Sequence, residues 1–186
     1  MGIVFLARDL ALERFVAIKL LPPDLAHDRH ARERFVREAR TVAALSHPHI
    51  VPIHLVDASG DLVFFVMAYV DGETLGERVR RAGPLAPSEA IRVVQELAWA
   101  LAHAHANGIV HGDVKPDNVL LDAVSGRAMV TDFGIAHVLA RATPVDGVVR
   151  GTPQYVSPEV AQGARGDARS DLYSLGVTAW FAAAGR

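Results

Sequence analysis

HGDVKPDNVL, residues 111–120, places an aspartate at position 113, a lysine at 115 and an asparagine at 118. A carboxylate can accept a proton, an ammonium group can steady an anion, and an amide oxygen can bind a hard metal ion. Each residue alone could equally be a polar turn or cap residue, but their joint spacing argues against coincidence. The stretch is therefore predicted to be a catalytic loop. This chemistry does not explain why glycine occupies position 112, directly before the aspartate.

The composition limits what the rest of the chain can be. Of the 186 residues, 51% are hydrophobic, which is enough for a folded core. A net charge of −2 gives no electrostatic reason to expect nucleic-acid binding. The absence of cysteine excludes a disulfide framework and a thiolate metal site, and it suits a reducing compartment.

The spacing of apolar residues predicts a β-rich first third and a mostly helical remainder, with a boundary near Asp71-Gly72. Strands are predicted at residues 3–7, 15–21, 50–56 and 62–69, and a helix at 31–45. A long helix is predicted to begin after Ser88, its N-cap, and to stop at Asn107-Gly108. Its buried face is predicted to carry Ile91, Val94, Ala98 and Leu101.

Two charged residues occupy positions where apolar residues are expected. Glu38 shares the apolar stripe of the first helix, and Lys19 lies inside the apolar strand FVAIKLL. A buried charge is costly unless it is paired, although the carboxylate of Glu38 could instead reach water at the edge of the helix. An ion pair between the two residues explains both, and it could hold the Lys19 amine against a phosphate.

Taken together, these motifs resemble those of protein kinases, and specifically the eukaryotic-like serine/threonine kinases of bacteria. The motifs run in family order: VAIK, the helix glutamate, HGDVKPDN, DFG at 132–134, GTPQYVSPE at 151–159, and Asp171 before an apolar helix. The resemblance implies an α+β, two-lobed protein-kinase-like fold. It comprises a small β-rich N-lobe with one main helix (residues 1–70) and a mostly helical C-lobe (71–186).

The resemblance assigns catalytic roles to five residues. Phosphoryl transfer depends on alignment and charge neutralisation more than on covalent chemistry. Asp113 would accept or orient the proton of the substrate hydroxyl, and Lys115 would steady the γ-phosphoryl group. Lys19, held by Glu38, would contact the α- and β-phosphates. Thr152 would bridge the aspartate and the lysine of the catalytic loop.

The resemblance also implies an ATP site with Mg²⁺, or Mn²⁺ in its place, bound by Asn118 and Asp132. Residues 67–70 would form the hinge, where the backbone of Ala68 and Val70 bonds the edge of adenine. The implied nucleotide-binding residues are Gly2, Val4, Ala17, Lys19, Met67, Ala68, Val70, Leu120, Asn118 and Asp132.

Gly112 keeps a second enzyme class open, because small-molecule kinases that resemble aminoglycoside and choline phosphotransferases often carry His-Gly-Asp here. Lys115-Pro116 and the segment 151–159 favour a protein substrate instead. A pseudokinase that binds nucleotide and acts as a scaffold is a third alternative, which the intact charged residues argue against. In kinases with arginine at this position, the guanidinium pairs with a phosphorylated loop residue. Gly112 therefore predicts an active enzyme that does not depend on such a phosphate.

Both ends lack parts that the family has, so a piece of a longer kinase is expected. The 186 residues alone are expected to be poorly soluble or inactive, with weak ATP binding. Gly2 would be the last glycine of a glycine-rich loop, and further helices would follow Arg186. The implied partners are ATP and a protein with Ser or Thr, with no nucleic acid. A homodimer through the N-lobe stays open. The kinase domain is expected in the cytoplasm, and a membrane anchor beyond Arg186 also stays open.

Overall fold

The computed structural model describes residues 3–20, 29–59, 62–133 and 153–186. Its strands are β1 (Ile3–Asp9), β2 (Arg14–Leu20), β3 (Ile53–Ser59), β4 (Leu62–Ala68), β5 (Gly72–Thr74), β6 (Val119–Asp122) and β7 (Ala128–Val130). Its helices are α1 (Arg29–Ala43), α2 (Leu75–Ala82), α3 (Pro87–Ala106), α4 (Pro158–Ala161) and α5 (Ala168–Ala184). Single 3-10 turns cover Pro116–Asn118 and Pro153–Tyr155. None of these described helices is long and apolar enough to cross a membrane.

The first sheet is antiparallel, with strand order β1-β2-β4-β3. Lys19 on β2 lies opposite Val4 on β1 and Phe65 on β4. Directly opposed residues of antiparallel strands point to the same face, so Lys19 shares its face with these two apolar side chains. This face is where the sequence predicts the nucleotide.

The second sheet has the order β5-β6-β7. Helices α2 and α3 contact this sheet, and α5 packs against α3. The large side chains of the core are fully buried here, and they include Leu75, Leu97 and Leu101. A β-rich part with one long helix is followed by a mainly helical part. The described residues therefore form the predicted architecture, which has a β-rich start and a helical remainder.

The loop between α1 and β3 is attached to β7 by hydrogen bonds. The Val51 N–H donates to the Val130 carbonyl at 2.9 Å, and the Val130 N–H donates to the His49 carbonyl at 2.9 Å. Glu96 on α3 is 7% exposed, and its Oε2 accepts the Ala128 N–H at 2.7 Å. Arg92 donates to both oxygens of the same carboxylate, which keeps this buried charge paired.

Two details of the predicted long helix are wrong. The N-cap is Ala86 and not Ser88, because Pro87 occupies the first helical position, where its fixed φ and missing N–H cause no conflict. Ile91 is 65% exposed, and the apolar face lies one residue earlier around the helix. The buried residues of α3 are Ala90, Val93, Glu96, Leu97, Ala100, Leu101 and Ala104.

Three histidines form a cluster where the same loop meets α3. The rings of His47 and His103 stack with centroids 5.2 Å apart, and those of His47 and His49 lie 5.6 Å apart. The His49 N–H donates to Nδ1 of His47 at 3.2 Å, so this nitrogen serves as an acceptor. Burial lowers the pKa of His47, and the nearby His103 and His49 lower it further.

We expect this cluster to make the fold less stable in mild acid. Because the pKa of His47 is lower in the folded than in the unfolded state, the unfolded chain binds the proton more tightly. The stability due to neutral His47 is therefore present above the unfolded pKa of about 6.5 and is lost as the pH falls through the folded value. In urea unfolding at pH 7.5 and 5.5, His47→Gln should lose less stability between the two pH values than the wild type. The exposed Ser88→Ala variant should behave as the wild type does, and an unchanged loss in His47→Gln would contradict the prediction.

Candidate active site

The catalytic loop is attached to α5 through the buried carboxylate of Asp171, which is 1% exposed. Its Oδ2 accepts the His111 N–H at 2.8 Å, and its Oδ1 accepts the Gly112 N–H at 2.8 Å. Nε2 of His105 also donates to Oδ2, at 2.7 Å. Three donors thus converge on one buried acid and fix the loop backbone just before Asp113.

Gly112 has a left-handed backbone, with φ at 74°. Glycine adopts this conformation without the clash that a Cβ atom would cause, which costs other residues about 1–2 kcal/mol. The backbone at this point must turn so that two successive N–H groups reach one carboxylate. The backbone conformation alone therefore explains why glycine occupies position 112.

His111 joins the catalytic loop to the segment that carries Asp132. The imidazole is fully buried, and its Nδ1 accepts the Asp113 N–H at 3.1 Å. Nε2 must then carry the proton, and it donates to the Thr131 carbonyl at 2.9 Å. The ring lies 4.6 Å from that of Phe133, centroid to centroid.

The three polar residues of the opening motif meet in one cluster. Nζ of Lys115 lies 2.6 Å from Oδ2 of Asp113. Nδ2 of Asn118 donates to the same oxygen at 3.0 Å and to the Asp113 carbonyl at 2.7 Å. Since the amide nitrogen of Asn118 is used in these bonds, its amide oxygen is the group that can bind a cation.

Lys19 forms an ion pair with Oδ2 of Asp132. The other oxygen, Oδ1, is buried and has no hydrogen-bond partner among the described residues. A buried carboxylate oxygen without a donor is costly, so this atom suits a bound cation. The Thr131 N–H donates to the Asn118 carbonyl at 3.0 Å, which keeps the asparagine next to this segment.

The predicted metal site fits these residues. One carboxylate and one amide oxygen are hard ligands, and Mg²⁺ commonly takes few protein ligands and keeps water and phosphate oxygens for the rest. No group of three or more His, Cys, Asp or Glu residues forms a metal cage within the described ranges. An ion held partly by the nucleotide requires no such cage.

Most residues of the predicted adenine pocket come together around one apolar cluster. Met67 is buried in it together with Met129 of β7, and Ala17, Ala68, Val70 and Leu120 pack against it. Val4 is 53% exposed and lies beside Lys19 on the neighbouring strand. The Ala68 N–H donates to the Pro52 carbonyl at 2.9 Å.

Three predicted site residues cannot be placed in this way. Gly2 and Thr152 lie outside the described residues, as does the side chain of Glu38, whose backbone belongs to α1. The pairing of Glu38 with Lys19 and the bridging role of Thr152 therefore stay predictions.

The protein kinase domain family matches residues 1–186, which is the whole chain. The chain belongs to the protein kinase domain family. The predicted family is thereby confirmed. The serine/threonine-protein kinase PrkC of Bacillus subtilis (strain 168) is 43% identical over 187 residues, which cover 100% of this chain and 29% of that protein. The serine/threonine-protein kinase PknB of Mycobacterium leprae (strain TN) is 47% identical over 182 residues, which cover 95% of this chain and 29% of that protein.

A solved structure confirms the predicted two-lobed fold. The Mycobacterium tuberculosis PknI kinase domain matches with a TM-score of 0.81 and 35% identity, and the match covers 100% of this chain and 70% of that chain. The kinase domain described here thus spans less than a third of the length of the two curated relatives above.

Two serines of α5 attach the segment 153–159 to this kinase domain. Ser174 Oγ donates to the Tyr155 carbonyl at 2.7 Å, and Ser170 Oγ donates to Oε1 of Glu159 at 2.7 Å. The Ser170 bond lowers the pKa of Glu159. The sequence pattern did not indicate these serines or His105, because their partners lie far away along the chain. Asp171, which lies where protein kinases have an aspartate, was the one residue in the sequence that indicated an attachment to α5.

We expect the Asp171 carboxylate to contribute strongly to stability. Asp171→Ala should lower the free energy of unfolding by about 2–4 kcal/mol, because each buried N–H left without an acceptor costs about 1–3 kcal/mol. Urea unfolding measures this loss, and the exposed Thr41→Ala variant of α1 should change stability by less than about 0.5 kcal/mol. If Asp171→Ala were as stable as that control, the carboxylate would not be what holds the loop.

Proposed function

We propose that this protein transfers a phosphoryl group from ATP to serine or threonine hydroxyls of other proteins. The observation that carries the proposal is the cluster of Asp113, Lys115 and Asn118, which lies next to the Lys19–Asp132 ion pair. A proton acceptor, two cations and two oxygen ligands are the groups that this reaction needs. The printed names of PrkC and PknB as serine/threonine-protein kinases support the proposal.

In this proposal Asp113 orients the attacking hydroxyl and accepts its proton. Asn118 and Lys115 both contact Oδ2 of Asp113, so the position of this carboxylate is fixed before substrate arrives. Lys115 is 5% exposed, and its charge stays close to the atom being transferred. A cation in a site with little water stabilises developing negative charge more than it would in bulk water.

The nucleotide is proposed to lie between the two sheets. Its adenine would pack between Val4 and Ala17 on one side and Leu120 on the other, and the hinge backbone at Ala68 and Val70 would bond its edge. The N-lobe would then cover residues 1–70 and the C-lobe 71–186. Asn118 and Asp132 would hold Mg²⁺, which supplies positive charge to the phosphates when bound.

The remaining partners are proposed from family membership and, for a homodimer, from the exposed surface of β1. A protein substrate and ATP are proposed, and a homodimer through the N-lobe is a further proposal. Apolar side chains of β1, such as Ile3 and Phe5, are 63% and 49% exposed and would suit such a contact. A cytoplasmic location for the kinase domain is proposed as well.

We expect two substitutions to abolish phosphorylation of protein. Asp132→Asn removes a metal ligand, and Lys19→Met removes the cation that contacts the phosphates. Asp113→Ala should reduce turnover by about 10²–10⁴, which is the usual contribution of a general base. Transfer of labelled γ-phosphate to dephosphorylated casein, measured with the full-length protein, provides the readout. The Glu89→Gln variant on α3 serves as the control.

Three results would count against the proposal or one of its parts. Full activity of Asp132→Asn would remove the basis of the metal assignment. Phosphorylation of an aminoglycoside or of choline, with none of protein, would favour the small-molecule class that Gly112 keeps open. Nucleotide binding without any transfer would point to a pseudokinase.

We expect activity without a phosphate on the loop. Gly112 offers no guanidinium for such a phosphate, and Thr143 is the only hydroxyl-bearing residue between Phe133 and Gly151, within a stretch outside the described residues. Thr143→Ala and phosphatase treatment should leave most activity. Gly112→Arg should not raise the activity, since an arginine at this position would strain the left-handed backbone. A tenfold loss on dephosphorylation, about 1.4 kcal/mol in the barrier, would contradict this.

A further inference from the structure

Residues 47–52 form a connecting loop between α1 and β3 that contacts both sides of the proposed nucleotide site. On one side, the Pro52 carbonyl accepts the N–H of Ala68 in the proposed hinge at 2.9 Å. On the other side, the loop bonds Val130 of β7, which is followed closely along the chain by Asp132. A shift of the connecting loop would therefore change the surroundings of the hinge and of the proposed metal ligand.

His49 attaches the connecting loop to β7 through its ring as well as through its backbone. Nδ1 of its buried ring lies 2.9 Å from the Ala128 carbonyl. Since a carbonyl oxygen can only accept a hydrogen bond, this nitrogen carries a proton and donates. The His49 carbonyl in turn accepts the Val130 N–H at 2.9 Å. Two hydrogen bonds of one residue thus hold the loop against β7.

The backbone N–H of His49 has an acceptor that depends on pH. It donates to Nδ1 of His47 at 3.2 Å, which is possible only while this nitrogen has a free lone pair. Protonation of His47 makes both of its ring nitrogens donors, so two N–H groups would then face each other. His49 is buried, and a buried N–H that loses its acceptor destabilises the arrangement that holds it. Acid therefore acts directly on the attachment of the loop.

The surroundings of the two histidines include three further ionisable residues, all of them on α3. His103 stacks on His47 with ring centroids 5.2 Å apart, so protons on both rings would repel each other. Oε2 of Glu96 lies 3.8 Å from Nδ1 of His49, but this carboxylate is already paired with Arg92. Burial and the neighbouring histidines lower the pKa of His47. His47 is half-buried, so a proton can reach it from solvent.

We propose that the connecting loop is an acid-sensitive control of nucleotide binding, in which protonation of His47 releases the loop from β7 and thereby weakens nucleotide binding. The inference rests on the proposed kinase function. His47 binds a proton more tightly in the released loop than in the attached one, so acid shifts the population towards the released state. Nucleotide favours the attached state, in which the hinge and the segment of Asp132 are both held. Tight nucleotide binding is therefore present at neutral pH and is lost as the pH falls below about 6.5.

Nucleotide affinity at two pH values tests the proposal. The full-length protein is titrated with a fluorescent ADP analogue and Mg²⁺ at pH 7.5 and at pH 5.5, and circular dichroism checks that it stays folded. In His47→Asn, Oδ1 can take the place of Nδ1 as the acceptor, but it does not titrate. The loss of affinity at the lower pH should be about fivefold greater in the wild type than in this variant. Titration of the nucleotide phosphates is the same for both proteins, so it cancels in the comparison.

Two further variants separate the proposed role from a general effect of losing a histidine. His54→Asn makes the same replacement on β3, outside the histidine cluster, and should keep the pH dependence of the wild type. His103→Phe keeps an aromatic ring beside His47 and removes the neighbouring charge. Because His103 lowers the pKa of His47, this variant should lose its affinity for nucleotide at a higher pH than the wild type. A purely structural role of the cluster would not move the midpoint in this direction.

The proposal is overturned if His47→Asn loses as much affinity as the wild type, or if His54→Asn loses as little as His47→Asn. A loss of affinity that occurs only together with the loss of the circular dichroism signal overturns it as well, because the signal would then report global unfolding.

A local measurement separates the release of the loop from the proposed kinase function. The ring of Trp99 lies 6.1 Å from that of His49, centroid to centroid. Its emission, taken as the difference from Trp99→Phe, should change over this pH range with His47 present and stay constant when His47→Asn is added. An equal change in both cases would overturn the release of the loop. If no nucleotide binds at any pH while the emission responds as expected, the proposed function fails and the release of the loop is confirmed.

Discussion

The carboxylate of Asp171 and two N–H groups of the catalytic loop depend on each other. The carboxylate is 1% exposed, so it must have donors, and the His111 and Gly112 N–H groups need an acceptor that the loop itself does not provide. Once they meet, the direction of the chain into Asp113 is set. The position of the catalytic loop is therefore set by a residue of the helical core and not by groups at the surface.

His111 connects the loop that Asp171 holds to the segment that contains Asp132. Each nitrogen of its ring has one bond, to the Asp113 N–H on one side and to the Thr131 carbonyl on the other. If the two ring nitrogens exchanged their donor and acceptor roles, neither hydrogen bond could form. The ring therefore fits this site in one tautomer and one orientation. Asp113, the proposed proton acceptor, and the segment of Asp132, the proposed metal ligand, are in this way held by one side chain.

The family, the fold and the members of the central cluster could be predicted because their signals are local. Asp113, Lys115 and Asn118 lie within six residues, and one short loop is enough to bring them together. The orientation of α3 was predicted one residue away from the truth, since Ile91 and Ala90 fit an apolar stripe almost equally well and only packing decides. His105, Ser170 and the buried Glu96 could not be predicted as structural residues. Their partners are distant in sequence, and a polar residue inside a helix gives no sign of which distant group it meets.

The hydrogen bonds between residues 49–51 and Val130 have a mechanical consequence. The proposed hinge at residues 67–70 is one attachment between the two sheets, and these bonds are a second. A body attached at two points can turn about the line through them, but it cannot slide freely or twist in other directions. The bonds to Val130 and the proposed hinge thus restrict, at two places, how the two sheets can move relative to each other.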